Sequence, residues 1–480
     1  MAFVSVDTIT FSQIVLSTVI FLLAITIVYS EIKYYGLRNI PGPLLGRYTD
    51  AWRCYLAWKF KDRPGGVAYH QHIHQRYGDV VRVGPKTVYV NDPSAIPVVL
   101  GFKDRLDKTD SVDAFGAPGM PPILFSMRDS KQHGAYRRAI QTVYSTSTVM
   151  LYQPAVDDMI KKFTTILDKK SRAGEKINLA EWCSYFVYDT IINVSYGTPL
   201  GFLDEGKDVY GLIETQAKTI AYVRLATQWR TLDYVLRTNP LTMALTRQKE
   251  NAFFQFSAER IQEAINKPKE NKIRKPTMLQ QFLDAQEKFP DLLTDQYVHI
   301  FCTTNLLAGT VGPTIALDCI LAWMARSPEE QSRLHQEIAA NSESFPVTWK
   351  ETDNMPYLQG VLREGNRLAY SSDLGIEREA PANGLILPSG HVIPAGYSIS
   401  VSQPALLKNR DAFGDDALEF IPERWMKRKD ETEDEYKDRK SYMDRTDLSF
   451  GAGSRICPGI AFSRMELSKL VASIVVRYKA

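Results

Sequence analysis

The chain has 480 residues, of which 44% are apolar and 24% charged, and its formal net charge is +3. That is the composition of a globular protein with a large core, and so small a charge excludes bulk nucleic-acid binding, which rests on a strong basic excess. Its five cysteines, Cys54, Cys183, Cys302, Cys319 and Cys457, are odd in number and form no CxxC pair, which argues against a disulfide framework or a zinc site.

Residues Thr8 to Ser30 carry no charge, and Ile14 to Tyr29 reads IVLSTVIFLLAITIVY. A helix of about 20 such residues spans a hydrocarbon core of roughly 30 Å. Asp7 precedes the run, and Glu31, Lys33 and Arg38 follow it. The basic flank on the C-terminal side places the remainder of the chain in the cytosol. A cleaved signal peptide would need a basic leading region and a small-residue cleavage site, and neither is present. Residues 1–32 are therefore expected to form a membrane anchor, with the span at about 11–30. Ile40-Pro41-Gly42-Pro43 stops any helix, so residues 33–45 read as a proline-rich hinge before one domain over 46–480.

Three histidines follow in His70-Gln71-His72-Ile73-His74. No carboxylate or cysteine stands beside them, so an exposed helix is expected rather than a metal site. Val80–Val83 and Thr87–Val90 read as β segments around Gly84-Pro85. Apolar residues recur at helical spacing over Tyr152–Lys169 and Trp182–Tyr196, and Asp295–Ala325 is the longest apolar helical run, with Pro313 inside it. Lys267–Lys275 reads as a solvated loop. Short β runs return between Leu374 and Ser402, and Lys427–Arg445 reads as an exposed insertion whose basic residues have partner docking as a less favoured use. The expected fold is mainly α, an α+β arrangement with a small segregated sheet.

The segment that carries chemistry is Phe450-Gly451-Ala452-Gly453-Ser454-Arg455-Ile456-Cys457-Pro458-Gly459. Its glycines let backbone approach a flat group closely, and its N–H groups can point at the sulfur. Pro458 suits the first turn of a helix, whose N-terminus favours thiolate over thiol. The bland alternative is a glycine-rich turn with a buried free cysteine. Glu364 and Arg367, three apart, share a helix face; an exposed pair of this kind contributes only about 0.3–0.5 kcal/mol.

Together with Glu364-x-x-Arg367 and Pro422-Glu423-Arg424-Trp425, the loop matches FxxGxRxCxG and resembles the cytochrome P450 family of haem-thiolate monooxygenases. The run from Tyr77 to Pro85 (YGDVVRVGP) and that from Gly201 to Val209 resemble fungal secondary-metabolism members, the pisatin demethylase-like group in particular. The resemblance implies the P450 fold and haem b (iron protoporphyrin IX), with Cys457 as axial iron ligand. It implies cofactor contacts from Phe450, Gly451, Arg455, Gly459, Ala308 and Gly309, and propionate contacts from His133, Arg137, Arg378 and Arg455. Glu364, Arg367 and Arg424 become a structural triad. NADPH, acting through NADPH-cytochrome P450 reductase, and O2 are the implied co-substrates. The implied location is the endoplasmic reticulum membrane, single-pass, with the catalytic domain cytosolic.

Two departures stand out. The family's A/G-G-x-D/E-T-T/S helix here reads Ala308-Gly309-Thr310-Val311-Gly312-Pro313. Val311 takes the acid position and Gly312 the alcohol position, so the usual proton delivery is lost. Pro313 is expected to kink the helix. Thr310 and Thr314 are candidate replacements, although each points roughly 160° from the lost alcohol on a regular helix; a substrate hydroxyl or backbone-held water are alternatives. The second departure is that 23 residues follow Cys457, where family members continue into a hairpin that touches substrate. Phe115, Met120, Phe125, Leu307 and Leu374 point to an apolar small-molecule substrate. The expected activity is oxygen insertion. A haem-thiolate isomerase, dehydratase or cyclase, and a truncated non-catalytic haem protein, are the alternatives.

Overall fold

The charge-free N-terminal run folds as one helix, α1 (Val4–Lys33), exposed from Phe11 to Tyr29. Phe11–Lys33 has a mean hydropathy of 2.4 and is long and apolar enough to cross a membrane. The structure, a computed structural model, describes residues 4–60, 67–245, 252–266, 276–369 and 375–478. Lys267–Lys275 and Leu374 lie outside the described residues. The proline segment after α1 is fastened rather than free. Pro41 O accepts from Arg82 N at 2.8 Å, and a Cβ at Gly42 would stand 2.0 Å from Arg82 O. Only glycine allows so close a backbone approach.

A four-stranded sheet runs in the order β1 (Val80–Arg82), β2 (Thr87–Val90), β6 (Ser398–Val401), β3 (Arg378–Glu379). The β2–β6 pair is parallel, with Val88 opposite Ile399; the other two pairs are antiparallel. A second ribbon joins β4 (Leu385–Ile386) to β5 (Val392–Ile393). The Gly84-Pro85 turn predicted from the sequence links β1 and β2.

Helices make the rest. Those that position the site are α2 (Val67–Tyr77), α3 (Ser130–Ile140), α4 (Thr146–Arg172), α5 (Leu179–Tyr196), α6 (Leu212–Ala226), α7 (Asp295–Arg326), α8 (Pro356–Ala369), α9 (Glu433–Thr446) and α10 (Ile460–Arg477). The main core lies among α4, α5, α7, α8 and α10, and includes Phe163, Phe186, Phe282, Leu317, Val361 and Leu470. α7 is the axis of the domain and packs on both α5 and α8. Gly365 of α8 permits the second contact, since a Cβ there would meet Ile320 Cγ1 at 2.4 Å.

Two expectations need refinement. His70 and His74 are buried rather than exposed, and only His72 faces solvent. One helical turn apart, they use their polar edges within the fold: His70 Nδ1 meets Ser402 Oγ at 2.6 Å with its ring stacked on Tyr89, and His74 Nδ1 meets Gly78 O at 2.9 Å. The charged stretch 427–445 is exposed as expected but contains an ordered helix, α9. Thr432 and Glu435 form its capping box, which satisfies two otherwise unpaired N–H groups, and Met443 anchors it against Phe413 and Trp425. Pro313 lies inside α7, which is one helix from Asp295 to Arg326.

Candidate active site

The cysteine loop is held by its own backbone. Cys457 N donates to Phe450 O at 2.9 Å, closing the turn. Gly451 and Gly453 have φ of 74° and 64°, values that side chains disfavour. A Cβ at Gly453 would stand 1.6 Å from Leu100 O. That glycine therefore admits another stretch of chain, whereas the sequence reading assigned all three to the approach of a ligand. Helix α10 starts at Ile460 with Gly459 as its N-cap. The Gly459 N–H and the Arg137 charge favour the Cys457 thiolate, but burial outweighs both and pushes the thiol up. The expected N-terminal activation is therefore insufficient alone; a metal cation on the sulfur is what deprotonates such a buried thiol.

Beside the loop lies a cluster of positive groups. Lys108 and Arg378 are buried and meet across an isolated β-bridge. Arg455 reaches them from the loop, its Nη1 and Nη2 donating to Met127 O and Arg128 O, each at 2.7 Å. Arg137, on α3, donates to Ile456 O at 2.6 Å and so also clamps the loop. His133, one turn before it, is buried. Among the described residues, none of the four cations has a carboxylate within ion-pair distance. Burial and then Arg455 push Arg378 down to about 9. Burial, Arg378 and Arg455 hold Lys108 well below its ordinary value. Burial, then Arg455, Lys108, Arg137 and Arg378, push His133 down to about 3. Buried cations without anions are costly, so the cluster fits a ligand bringing carboxylates of its own. The neutral His133 ring would serve there as a hydrogen-bond partner rather than a charge. Lys108 escaped the sequence reading, because nothing local distinguishes it; only the bridge to a strand 270 residues away places it here.

The middle of α7 supplies a flat face. Ala308 and Gly312, one turn apart, are exposed, while Leu306, Thr310 and Pro313 are buried. A Cβ at Gly312 would meet nothing within 4 Å. Gly309 lies against α5, where a Cβ would stand 2.9 Å from Ile191 Cγ1, so glycine there also serves the packing of the two helices.

Thr310 is bonded within the fold. Its Oγ1 donates to Gln216 Oε1 at 2.9 Å and lies within 3.0 Å of Leu306 O. Gln216 Nε2 donates to Leu307 O at 2.6 Å, and Tyr188 OH donates to the same Gln216 oxygen. Thr310 thus ties α7 to α6 and α5. Thr310→Ala is expected to destabilise the protein by about 1–2 kcal/mol, the cost of a lost buried hydrogen bond, measured by chemical unfolding. Thr314 differs: its hydroxyl is buried without a partner.

Glu364, Arg367 and Arg424 come together as one buried network. Arg367 Nε and Nη2 donate to the two Glu364 oxygens at 2.8 and 2.7 Å. Arg424 Nε donates to Oε1 at 3.2 Å. Trp425 Nε1 adds a bond to Oε2 at 3.0 Å, a fourth member that the sequence reading did not include.

The family model described as "Cytochrome P450" matches residues 49–480. The chain belongs to the cytochrome P450 family. It is similar to the cytochrome P450 monooxygenase cicH of Emericella nidulans, 32% identical over 457 residues, covering 92% of this chain and 88% of that protein. It is also similar to the cytochrome P450 monooxygenases cfoH of Aspergillus candidus, 29% identical over 95% of this chain and 85% of the relative, and vrtE of Penicillium aethiopicum, 28% identical over 94% and 86%. This P450 is accordingly a monooxygenase, and membership implies a haem cofactor and dioxygen. The residues present fit that cofactor. Cys457 offers a sulfur ligand, the cluster of Lys108, Arg378 and Arg455 offers partners for two carboxylates, and Ala308 and Gly312 offer a flat face.

Proposed function

We propose that this P450 inserts one oxygen atom from O2 into an apolar small molecule of fungal secondary metabolism, with electrons from NADPH delivered through NADPH-cytochrome P450 reductase. The observation that carries the reading is the cysteine loop flanked by buried cations that lack carboxylates. Haem bound there would supply oxygen activation, with thiolate ligation favouring cleavage of the O–O bond. The protein's part is positional. Cys457 would hold the iron, Lys108, Arg378 and Arg455 would hold the propionates, His133 would donate or accept beside them, and Arg137 keeps the loop in place.

Residues 1–32 act as the anchor, 33–45 as the connection and 46–480 as the haem domain, on the cytosolic face of the endoplasmic reticulum membrane. Exposed apolar side chains continue beyond α1. Leu44, Leu45, Tyr55 and Trp58 are exposed soon after α1, and Tyr234, Val235, Leu236 and Leu241 are exposed after α6; the helix carrying Tyr55 and Trp58 packs on α6. Such a patch suits a membrane surface and a substrate that enters from it. A cavity of about 1230 Å³ lies against the other elements of the loop, where Arg363, Lys440, Arg445 and Arg464 accompany Phe450 and Ile456. Asp92, Asp444 and Asp447 share that lining, and Arg363 and Lys440 pair with Asp444, so the face carries both signs for an electron-delivering partner to meet.

In membranes supplied with reductase, the reduced protein is expected to give the thiolate-type absorption band with carbon monoxide. Untargeted metabolite comparison with and without the gene is expected to show a product heavier by one oxygen, formed only with NADPH and O2. Turnover that needs neither would instead establish an isomerase, dehydratase or cyclase. Val311, Gly312 and Pro313 favour that second reading, since such chemistry needs no proton delivery to dioxygen. Absence of the band would point to a non-catalytic protein.

A further inference from the structure

Tyr144 OH donates to Asn305 Oδ1 at 2.5 Å, across 161 residues of chain. Asn305 Nδ2 in turn donates to Met278 Sδ at 3.3 Å. The first bond joins two walls of the candidate site. Asn305 stands on α7 three residues before Ala308 and seven before Gly312. At about 100° per residue, their directions differ from its own by roughly 60° and 20°, so the three share the flat face. The same stripe is closed one turn earlier, where Phe301 stacks on Phe282 and meets Tyr136 edge-on. Asn305 is therefore where the stripe passes from covered to open. Tyr144 comes from the other wall. It ends the 3-10 turn Gln141–Tyr144, which follows directly on α3. Along this stretch His133 stands beside the cations, Arg137 clamps the cysteine loop one turn on, and Tyr144 comes last. The charges felt follow the same order. Besides burial, His133 feels Arg455 and Lys108, and Arg137 feels Cys457 and then Tyr144. Burial pushes the Tyr144 phenol up, and Cys457 is among the charges it feels. At about 1.5 Å per residue, α3 alone carries the chain roughly 10 Å from His133 to Ile140, the scale of a flat tetrapyrrole. Tyr144 and Asn305 are both partly open, although Val143, Met278, Phe282 and Leu306 around them are buried. The space they border is therefore internal.

We propose that the Tyr144–Asn305 bond forms the wall that fixes which way round the flat cofactor sits. The proposal rests on haem filling this site and needs neither a substrate nor the reductase. Haem b can be seated with either face toward the sulfur. Both placements keep the two carboxylates on the cations, but they exchange methyl and vinyl groups at the far edge. Lys108, Arg378 and Arg455 cannot tell the placements apart, because the two carboxylates are chemically alike. A rigid wall at the far edge can. A phenol bonded to an amide presents one fixed shape there, whereas each side chain alone would be free to turn. The amide is held at its other end by Met278, and the phenol ring packs on Phe282 at 6.2 Å between centroids. Tyr144 and Asn305 are thus positioning residues that act on the rim of the cofactor, apart from the iron ligand and the carboxylate partners.

The test compares the haem-loaded, full-length wild type with Tyr144→Phe, Asn305→Ala, the double variant, and Thr310→Ala as a control that loses a different bond of α7. Proton NMR of the ferric low-spin protein gives one set of shifted haem-methyl signals for each placement, and resonance Raman reports the vinyl groups. The wild type should show one dominant placement. Y144F and N305A should each raise the minor placement relative to the major by about twofold to tenfold, the range set by one neutral hydrogen bond. The double variant should be no worse than the larger single one, as two ends of one bond require. T310A should lower stability and leave the ratio unchanged. The reduced carbon monoxide band should stay thiolate-type in every variant, since Cys457 is unaltered. A wild-type ratio in Y144F with haem bound overturns the proposal alone, as does an equal mixture in the wild type or an equal shift in T310A. A wild type that takes up no haem overturns the haem reading and the proposal with it.

Discussion

Cys457→Ala is expected to eliminate the thiolate-type carbon monoxide band and NADPH-driven turnover together, while the haem-free protein keeps its fold. The loop does not depend on the sulfur for its shape. Its closing bond is between the Cys457 N–H and the Phe450 carbonyl, both backbone groups that alanine retains, and Gly451 and Gly453 set its left-handed turns. Without a metal the buried thiol contributes as a small apolar group, so the stability change before haem loading should stay within about 1 kcal/mol. The loss falls entirely on the cofactor side. Burial opposes a free thiolate at this position, and a metal cation supplies the charge that makes the ionised sulfur affordable. Haem content, the reduced carbon monoxide spectrum and turnover are measured on one preparation. A C457A protein that retains the thiolate-type band would remove the residue from its assigned place.

Glu364→Ala should cost about 3–5 kcal/mol, the penalty for stranding buried charges, and thereby abolish stable expression. The carboxylate is fully buried and accepts from Arg367, Arg424, the Trp425 indole and the Ile421 N–H. Removing it leaves two guanidiniums without their shared anion. Arg367 also donates to the Leu407 and Ala417 carbonyls at 2.7 and 2.6 Å, so the same centre joins α8 to three separate stretches of loop. The effect therefore exceeds that of an exposed pair at the same spacing by nearly an order of magnitude. Glu364→Gln keeps the shape but not the charge, and is expected to fall between alanine and wild type. Chemical unfolding and haem retention provide the readout; a loss below about 1 kcal/mol would mean the network is a surface-type pair.

The contrast between these residues and α7 shows where sequence reading works. Glu364 and Arg367 are three residues apart, and the cysteine loop is ten consecutive residues, so spacing alone brings their groups together. The anchor is legible for the same reason, since one uninterrupted apolar run is its own signal. On α7 the sequence supplied the phase of each residue but not what faces it. Thr310 and Thr314 looked equivalent, each two positions from Gly312. Gln216, 94 residues from Thr310, occupies one hydroxyl and leaves the other unpartnered. Ile191 of α5 fills the space beside Gly309, a contact that no local spacing encodes.

What the amino-acid order determined by itself is the P450 signature, its cysteine, its buried acid–arginine pairing and its membrane-spanning run, all properties of short-range spacing and composition. Only the tertiary structure decided that His70 and His74 turn inward, that Lys108 joins the cation cluster, and that Tyr144 bonds to Asn305. Those outcomes depend on which distant element covers each side of a helix. A helical repeat specifies the sides but not their neighbours.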